Sequence, residues 1–506
     1  MSAQSYWMRT APGHSYPALE QDLRADVVVV GAGIAGLSAA WELVKAGRSV
    51  AVLEAGRIAA GVSGHTTAKL SAQHTLIYAD LASSAGAGTA ALYAQSQQQA
   101  IDHLAATATT LGIDCDLERV PALTYAESAD DLGLLRAEAE AAARAGLPAS
   151  FVTDSTLPFP IAGAVRVENQ AQFHPRAYLL ALTEAMAGEG ALVFEGTRVV
   201  DLKEGEPCQV TTESGQVVTA ADVIVATHYP IFDRAVLFAR LRPHRELVVA
   251  APIPARSDPG AMFITTEQNT RSVRTAPYGD GQRLLIVTGE SFTPGAGRVT
   301  ERLDRLRSWT TERFATDTVT HWWAAQDNST TDGLPFVGPL HLGARHAYVA
   351  TGFGGWGMSN GVMAGLLLST LITGGESPWS EIYDPRRLHP LREAGPAVKA
   401  QTAVVRHFVA DRLAVPDSGD VTDLPRGQGA VIKTDGELRA VYRDTDGALH
   451  AVSAICTHLR CVVAFNEAER SWECPCHGSR FDVDGAVLQG PAVHPLPPVE
   501  PDASPD

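Results

Sequence analysis

The sequence predicts an α/β chain with a separate, smaller all-β domain at its C-terminal end. Three observations predict it. An apolar strand, a glycine-rich turn, a helix and a second strand follow one another from Asp26 to Glu54. Strand-like apolar runs then alternate with Ala-rich helical stretches to about residue 390. From about residue 421 the pattern changes to short β-type runs broken by turns, as in "GAVIKTDGELRAVYRDTDGALHAVSAIC". Residues 391–420 read as one amphipathic helix with a Pro/Asp/Ser/Gly exit, which makes them a linker. No internal repeat is visible.

The 506 residues are enough for two to four domains. A composition of 45% hydrophobic and 19% charged residues excludes a disordered chain. The net charge of -17, with no Lys/Arg cluster, argues against a nucleic-acid partner. The N-terminus has no basic-then-apolar pattern, so no signal peptide is expected. Residues 350–375 carry no charge, but their first third is Gly-rich and the apolar remainder is too short for a bilayer. A buried turn and helix is expected there, with no membrane insertion and a cytoplasmic location.

The first strand leads into Gly31, Gly33 and Gly36, a G-x-G-x-x-G turn that opens the helix. Such glycines allow a tight turn and bring a pyrophosphate close to the helix N-terminus. Glu54, at the end of the second strand, is placed to accept from a ribose hydroxyl. Gly352, Gly354 and Gly357 repeat the spacing. No second strand and terminal acid follow them, so the unit is incomplete and a nicotinamide site is not expected.

Further stretches are "FHPRAYLLAL", "ADVIVATHYP" and the pair "DGLPFVG" and "TGFGGWGM". With the fingerprint they make residues 20–390 resemble the D-amino-acid oxidase-like flavoproteins, in the branch of sarcosine and dimethylglycine dehydrogenases. The resemblance implies an FAD-binding Rossmann-like domain with a nested α+β substrate domain. FAD-binding segments would be about 20–85, 165–235 and 335–390, and substrate segments about 86–164 and 236–334. It implies FAD contacts from Arg57, Ser63 and His65 in "RIAAGVSGHTTAKL". Val199 would meet the adenine through its backbone. The turn with Gly352, Gly354, Gly355 and Met358 would meet the flavin ring or its ribityl chain. In those dehydrogenases a histidine at the place of His65 is bonded to the flavin, so His65 either bonds or hydrogen-bonds the cofactor. His74 reads as an ordinary hydrogen-bonding residue. Relatives have Ala-Thr-Gly where this chain has Ala226-Thr227-His228.

Four of the six cysteines sit in "CTHLRCVVAFNEAERSWECPCHGSRF". Cys456-x-His458 and Cys474-x-x-His477 each supply one thiol and one imidazole. Zinc could use the same residue types. Against zinc, each loop carries a further cysteine and the Cys-x-His spacing is short for a finger. With Gly490-Pro491, these loops make residues 421–506 resemble the all-β Rieske [2Fe–2S] domain. That implies cluster ligation by Cys456, His458, Cys474 and His477, and a disulfide between Cys461 and Cys476. Ser479 would donate to a cluster sulfur. Histidine ligation makes the cluster a readier electron acceptor than an all-cysteine one. Phe481 stands where a tyrosine donor is common, which implies a potential below the respiratory range. Arg460 stands where glycine is usual, and its positive charge beside the cluster would either offset that loss or dock a partner, which leaves the net sign open. Cys115 and Cys208 read as isolated residues without chemistry.

Together the two ends imply oxidation of a C–N bond in an amine or amino acid. Electrons would pass from flavin through the cluster to an acceptor protein or small oxidant. The alternative is a non-catalytic redox partner that feeds another enzyme. An oxygenase would need a two-histidine, one-carboxylate iron site, and no convincing set is visible. For substrate binding, Arg242, His244, Arg245, Arg271, Arg274 and Tyr278 are candidates around a carboxylate. Trp322, Trp323, Asp327, Asn328 and Asp332 are candidates around an ammonium, and Trp356 is expected beside the flavin.

Overall fold

The computed structural model describes residues 3–232, 237–279, 281–388, 424–434 and 436–500. Apolar runs such as "DVVVV" form central strands because parallel sheets bury both faces. The first sheet has eight strands around a parallel core. Strand Leu23–Val30 pairs in parallel with Val50–Leu53 on one side and Val217–Val225 on the other. The latter continues to Ala347–Thr351. Helix Ile34–Lys45 lies between the first two strands in sequence and packs on helix Gly357–Ile372. This second helix is the charge-free stretch. It is buried on the first, and no helix among the described residues is long and apolar enough to cross a membrane.

The second sheet has nine strands, in an order that starts His321–Thr330, Leu241–Pro254, Gln282–Phe292. Its far end holds Glu118–Ala126, Gly163–Gln172 and Lys69–Leu70. Those last two strands correct the expected boundaries, which assigned 20–85 and 165–235 to the nucleotide segments. Both pair with strands of the second sheet instead. Such long-range pairing leaves no mark in local sequence.

The C-terminal residues form two small antiparallel sheets of three and four strands. Their shared core contains Trp472, Phe481 and four cysteines. The linker helix expected over 391–420 lies outside the described residues.

Candidate functional site: a cavity shared by two domains

A cavity of about 940 Å³ is lined by the fingerprint turn, the ends of the neighbouring strands, one face of the second sheet and part of the C-terminal domain. That volume is at the upper end of ligand pockets, about 300–1,000 Å³. Gly31, Gly33, Glu54, Arg57, Ser63, His65, Val199, Gly355 and Met358 all line it. Ser63 Oγ accepts from Ile34 N at 3.0 Å and ties the 62–64 turn to the helix start. Glu54 accepts from Ala32 N and Gly56 N, each at 2.8 Å. Burial raises its pKa above the usual range. Asp327 also lines the cavity; it accepts from Gly355 N at 2.7 Å and stands 3.4 Å from His228 Nε2.

His65 Nδ1 lies 2.9 Å from Gly61 O. A carbonyl only accepts, so Nδ1 carries the proton and Nε2 keeps its lone pair. Burial lowers the pKa of the ring, which keeps it neutral. Trp323 Nε1 donates to His65 O at 2.7 Å and fixes the segment. His74 is bonded to Tyr93 OH at 2.5 Å and to Ser71 O at 2.7 Å.

Other expected residues lie elsewhere. Gly36 is a packing residue in the helix, close to Gly31 O. Gly352 packs on Thr330, and Gly354 N donates to Asn328 O at 3.1 Å; neither lines the cavity. Trp356 stacks on His74 with centroids 4.5 Å apart, not on the cavity wall. Tyr278 packs near Tyr6. Arg274 is a strut: it donates to Ala68 O at 2.7 Å, Thr67 O at 3.1 Å and Phe173 O at 3.2 Å. Arg271 pairs with Glu290 at 2.6 Å, and Asp332 with Arg387 at 2.7 Å. A buried ion already matched by its neighbour has no charge to spare for substrate. These pairings overturn Arg271, Arg274 and Asp332 as substrate contacts.

In the C-terminal domain, Cys456, Cys474 and His477 are buried. Cys456 and Cys474 share a hydrogen bond that pulls the pKa of the Cys456 thiol below the usual thiol range. The Ser479 hydroxyl also bonds Cys456 and accepts from Ala492 N at 3.0 Å. The rings of His458 and His477 stand edge to face, 5.0 Å apart. A disulfide joins Cys461 and Cys476, as the resemblance implied. Its sulfurs lie within 4.8 Å of Cys474 Sγ, but the bond between them leaves Cys474 as the free thiol of that trio. Arg460 has φ +60°, a backbone region that favours glycine. His228 has φ +67° in the same way. Both stand where the resemblance implied glycine, and both residues hold a conformation that strains an L-amino acid.

How the halves meet is barely legible in local sequence. Tyr229 stands 6.4 Å from the His458 ring and 6.1 Å from the His477 ring, and Phe238 stands 5.9 Å from His477. His477 is 2% exposed. Its neighbour in sequence is Gly478, whose carbonyl accepts from Gln326 Nε2 at 2.9 Å. Beneath this contact Arg245, fully buried, pairs with Glu469 and Glu473. Arg480 joins them, 3.0 Å from Glu469 and 3.2 Å from Glu473. Glu473 also accepts from Gly295 N at 2.9 Å. Arg245 was a candidate for a substrate carboxylate; the interface uses it instead. The signal available was weak: an acid directly before Cys474 and a base shortly after His477.

Gly478 has φ +79°, and a side chain there would meet Gln326 Nε2 and stand 2.9 Å from Pro243 Cβ. Gly478→Ala is expected to weaken the contact by about 1–3 kcal/mol. The check is an earlier unfolding transition in calorimetry together with a changed cluster electron paramagnetic resonance (EPR) spectrum; an unaltered pair of readings would show that the contact carries no energy.

Residues 26–371 match the family model "FAD dependent oxidoreductase". The chain belongs to that family. This flavoprotein also matches the "Rieske [2Fe-2S] domain" over residues 415–500. It is 33% identical over 499 residues to a Bacillus subtilis (strain 168) protein provisionally named Rieske 2Fe-2S iron-sulfur protein YhfW, covering 98% of this chain and 97% of that one. Its fold is similar to the glycine oxidase of Geobacillus kaustophilus (TM-score 0.59, 22% identity, 72% of this chain and 100% of that one). It is also similar to the L-proline dehydrogenase of P. horikoshii (TM-score 0.59, 18% identity, 72% and 98%). The flavoprotein binds FAD in its first part and a [2Fe–2S] cluster in its Rieske domain. The residues present suit both groups. The glycine turn leaves a cradle for the dinucleotide, since a Cβ on Gly31 would stand 2.6 Å from Ala226 O. Two buried thiols and two adjacent imidazoles match the mixed donor set of a Rieske centre.

Proposed function

We propose that this flavoprotein oxidises the carbon–nitrogen bond of an amine or amino acid and passes the electrons through its cluster to a separate acceptor. One observation carries the reading: residues of the FAD fingerprint and residues of the Rieske domain line a single cavity. Bound FAD supplies two-electron oxidation and the cluster one-electron acceptance. The chain's own residues do the rest. Cys456, His458, Cys474 and His477 are the cluster ligands. His228 lines the cavity and the next residue, Tyr229, packs on both ligand rings, so one peptide link spans the two sites. Asp327 holds the Gly355 turn and orients His228. The second sheet and the Rieske domain wall the cavity and limit water. His65, neutral and with Nε2 unprotonated, is the residue for a covalent bond to the flavin.

Two experiments test this. In an anaerobic screen of amines and amino acids, a substrate is expected to bleach the flavin band first and the cluster band second. Bleaching that occurs only when a reductase protein is added would sink the reading in favour of a redox partner. For His65, acid precipitation of pure protein is expected to leave the yellow colour in the pellet; a yellow supernatant means no bond.

A further inference from the structure

Strand Leu241–Pro254 lines the cavity with His244, Glu246 and Val248, and strand Gln282–Phe292 adds Thr288, the ladder partner of Val248. The ladder between these strands is broken at one place. Arg245 pairs with Phe292 but Leu247 pairs with Gly289, so the partner strand carries an extra residue at Glu290–Ser291, opposite Glu246. A bulge re-aims the side chains beside it. Glu246 makes no hydrogen bond or ion pair among the described residues. Thr288 is 6% exposed, and its Oγ1 meets no partner among them either. A carboxylate thus faces the cavity with its bonding unmet, and the unpartnered Thr288 hydroxyl lies just beneath the wall.

A matching positive charge is lacking there. Arg245, Arg271 and Arg274 are held by the pairings described above. Of the guanidinium groups on the cavity wall, Arg57 pairs with Glu195 and Arg480 with Glu469 and Glu473. Arg198 is 3.8 Å from Glu213, and Arg470 is exposed. Lys69 is near enough to feel Glu246, but it lies off the cavity wall and donates to Phe263 O at 3.3 Å and to Ser272 Oγ. Burial pushes its pKa down to about 7, so its charge is only partial at neutral pH.

We propose that Glu246 and Thr288 form the amine-binding end of the oxidation site, and that its substrate is a cationic amine without a carboxylate. This rests on the reading of C–N oxidation given above. An α-amino acid would carry a second carboxylate close to its amine and set it beside Glu246, where Arg57, Arg198 and Arg480 are already paired and Arg470 stays exposed to solvent. Like charges at that range in a walled cavity repel strongly. A simple amine brings one positive charge, which Glu246 neutralises, and N–H groups that the Glu246 carboxylate can accept from, with the Thr288 hydroxyl behind the wall.

The test uses holoenzyme and matched pairs: propylamine against 2-aminobutyrate, and pyrrolidine against proline. Under anaerobic conditions each amine is expected to bleach the flavin band at lower concentration than its carboxylated partner. A second readout needs no turnover. Tetramethylammonium, which cannot be oxidised by this route, should perturb the flavin spectrum, and acetate should not. Glu246→Gln should weaken tetramethylammonium binding by about thirtyfold or more, and Thr288→Val should raise the half-saturating concentration of propylamine. Flavin content of each variant reports that it has folded. The proposal is overturned if the amino acids are the better reductants, if acetate binds in place of the cation, or if Glu246→Gln leaves cation binding unchanged. If no compound bleaches the flavin while tetramethylammonium binds in a Glu246-dependent way, the cation site stands and the oxidation reading falls.

Discussion

Arg245→Leu is expected to separate the Rieske domain from the flavoprotein while leaving both folded. Arg245 is fully buried and meets two carboxylates, Glu469 and Glu473, both from the Rieske domain. Burial opposes charge on Glu469, but Arg480 and Arg245 outweigh it and hold its pKa well below the usual range. Removing the arginine leaves Arg480 alone to neutralise both acids. Breaking a buried pair in this way costs about 3–5 kcal/mol, because the stranded charges stay out of water. Undocking relieves that cost by letting Glu469 and Glu473 reach solvent. Calorimetry should then show two separate transitions, against a single one expected for the native protein. Stopped-flow mixing with a reducing substrate should show flavin bleaching at its native rate and cluster bleaching strongly slowed. The triple variant Arg245→Leu, Glu469→Gln, Glu473→Gln removes the stranded charges and should recover part of the lost stability. A single variant with native melting and native cluster reduction would show that the network does not hold the domains together.

The parts of this molecule legible in the sequence are those whose function needs only near neighbours. The strand–turn–helix–strand of residues 26–54 is one such unit, and the paired Cys/His loops are another. Each motif carries its geometry in its spacing. What stayed hidden depends on who sits opposite whom. Arg245, Arg271 and Arg274 look alike as free cations in a sequence. Only the fold shows that Glu473, Glu290 and the carbonyl of Ala68 had already claimed them. Glu246 was passed over inside "RPHRELVV" because a bulge is a mismatch between two strands, and one strand does not show it. Tyr229 sits unremarked in "ADVIVATHYP", and its role depends on a ring more than two hundred residues away. His228 and Arg460 went the other way. Both stand where the resemblance implied glycine, and both adopt the left-handed conformation that glycine would have. A positive φ is affordable to an L-residue when surrounding contacts over-determine it.

Gly36→Ala is expected to empty the FAD site and leave the cluster in place. A methyl group at Gly36 would run into Gly31 O and stand 3.1 Å from Val29 Cγ1. Neither neighbour can yield. Gly31 O is main chain of the tight turn, and Val29 is a fully buried residue of the central strand. The helix Ile34–Lys45 must therefore lift off the strand. That moves the N–H groups of its first turn, which are the donors a pyrophosphate needs. The third glycine of the fingerprint thus acts through packing, although it does not line the cavity. Purified Gly36→Ala protein should show the cluster's visible and EPR signals at native strength, with bound flavin lowered at least about tenfold, a loss of about 1.4 kcal/mol or more in binding. Added FAD should restore little of it. The Rieske domain forms its own core from Trp472, Phe481 and the cysteines, so its folding does not depend on that helix. Native flavin content in this variant would mean that the helix and turn have slack the packing does not show. Loss of both chromophores would mean that the domains fold as one unit, and that the Arg245 network joins them more tightly than an interface.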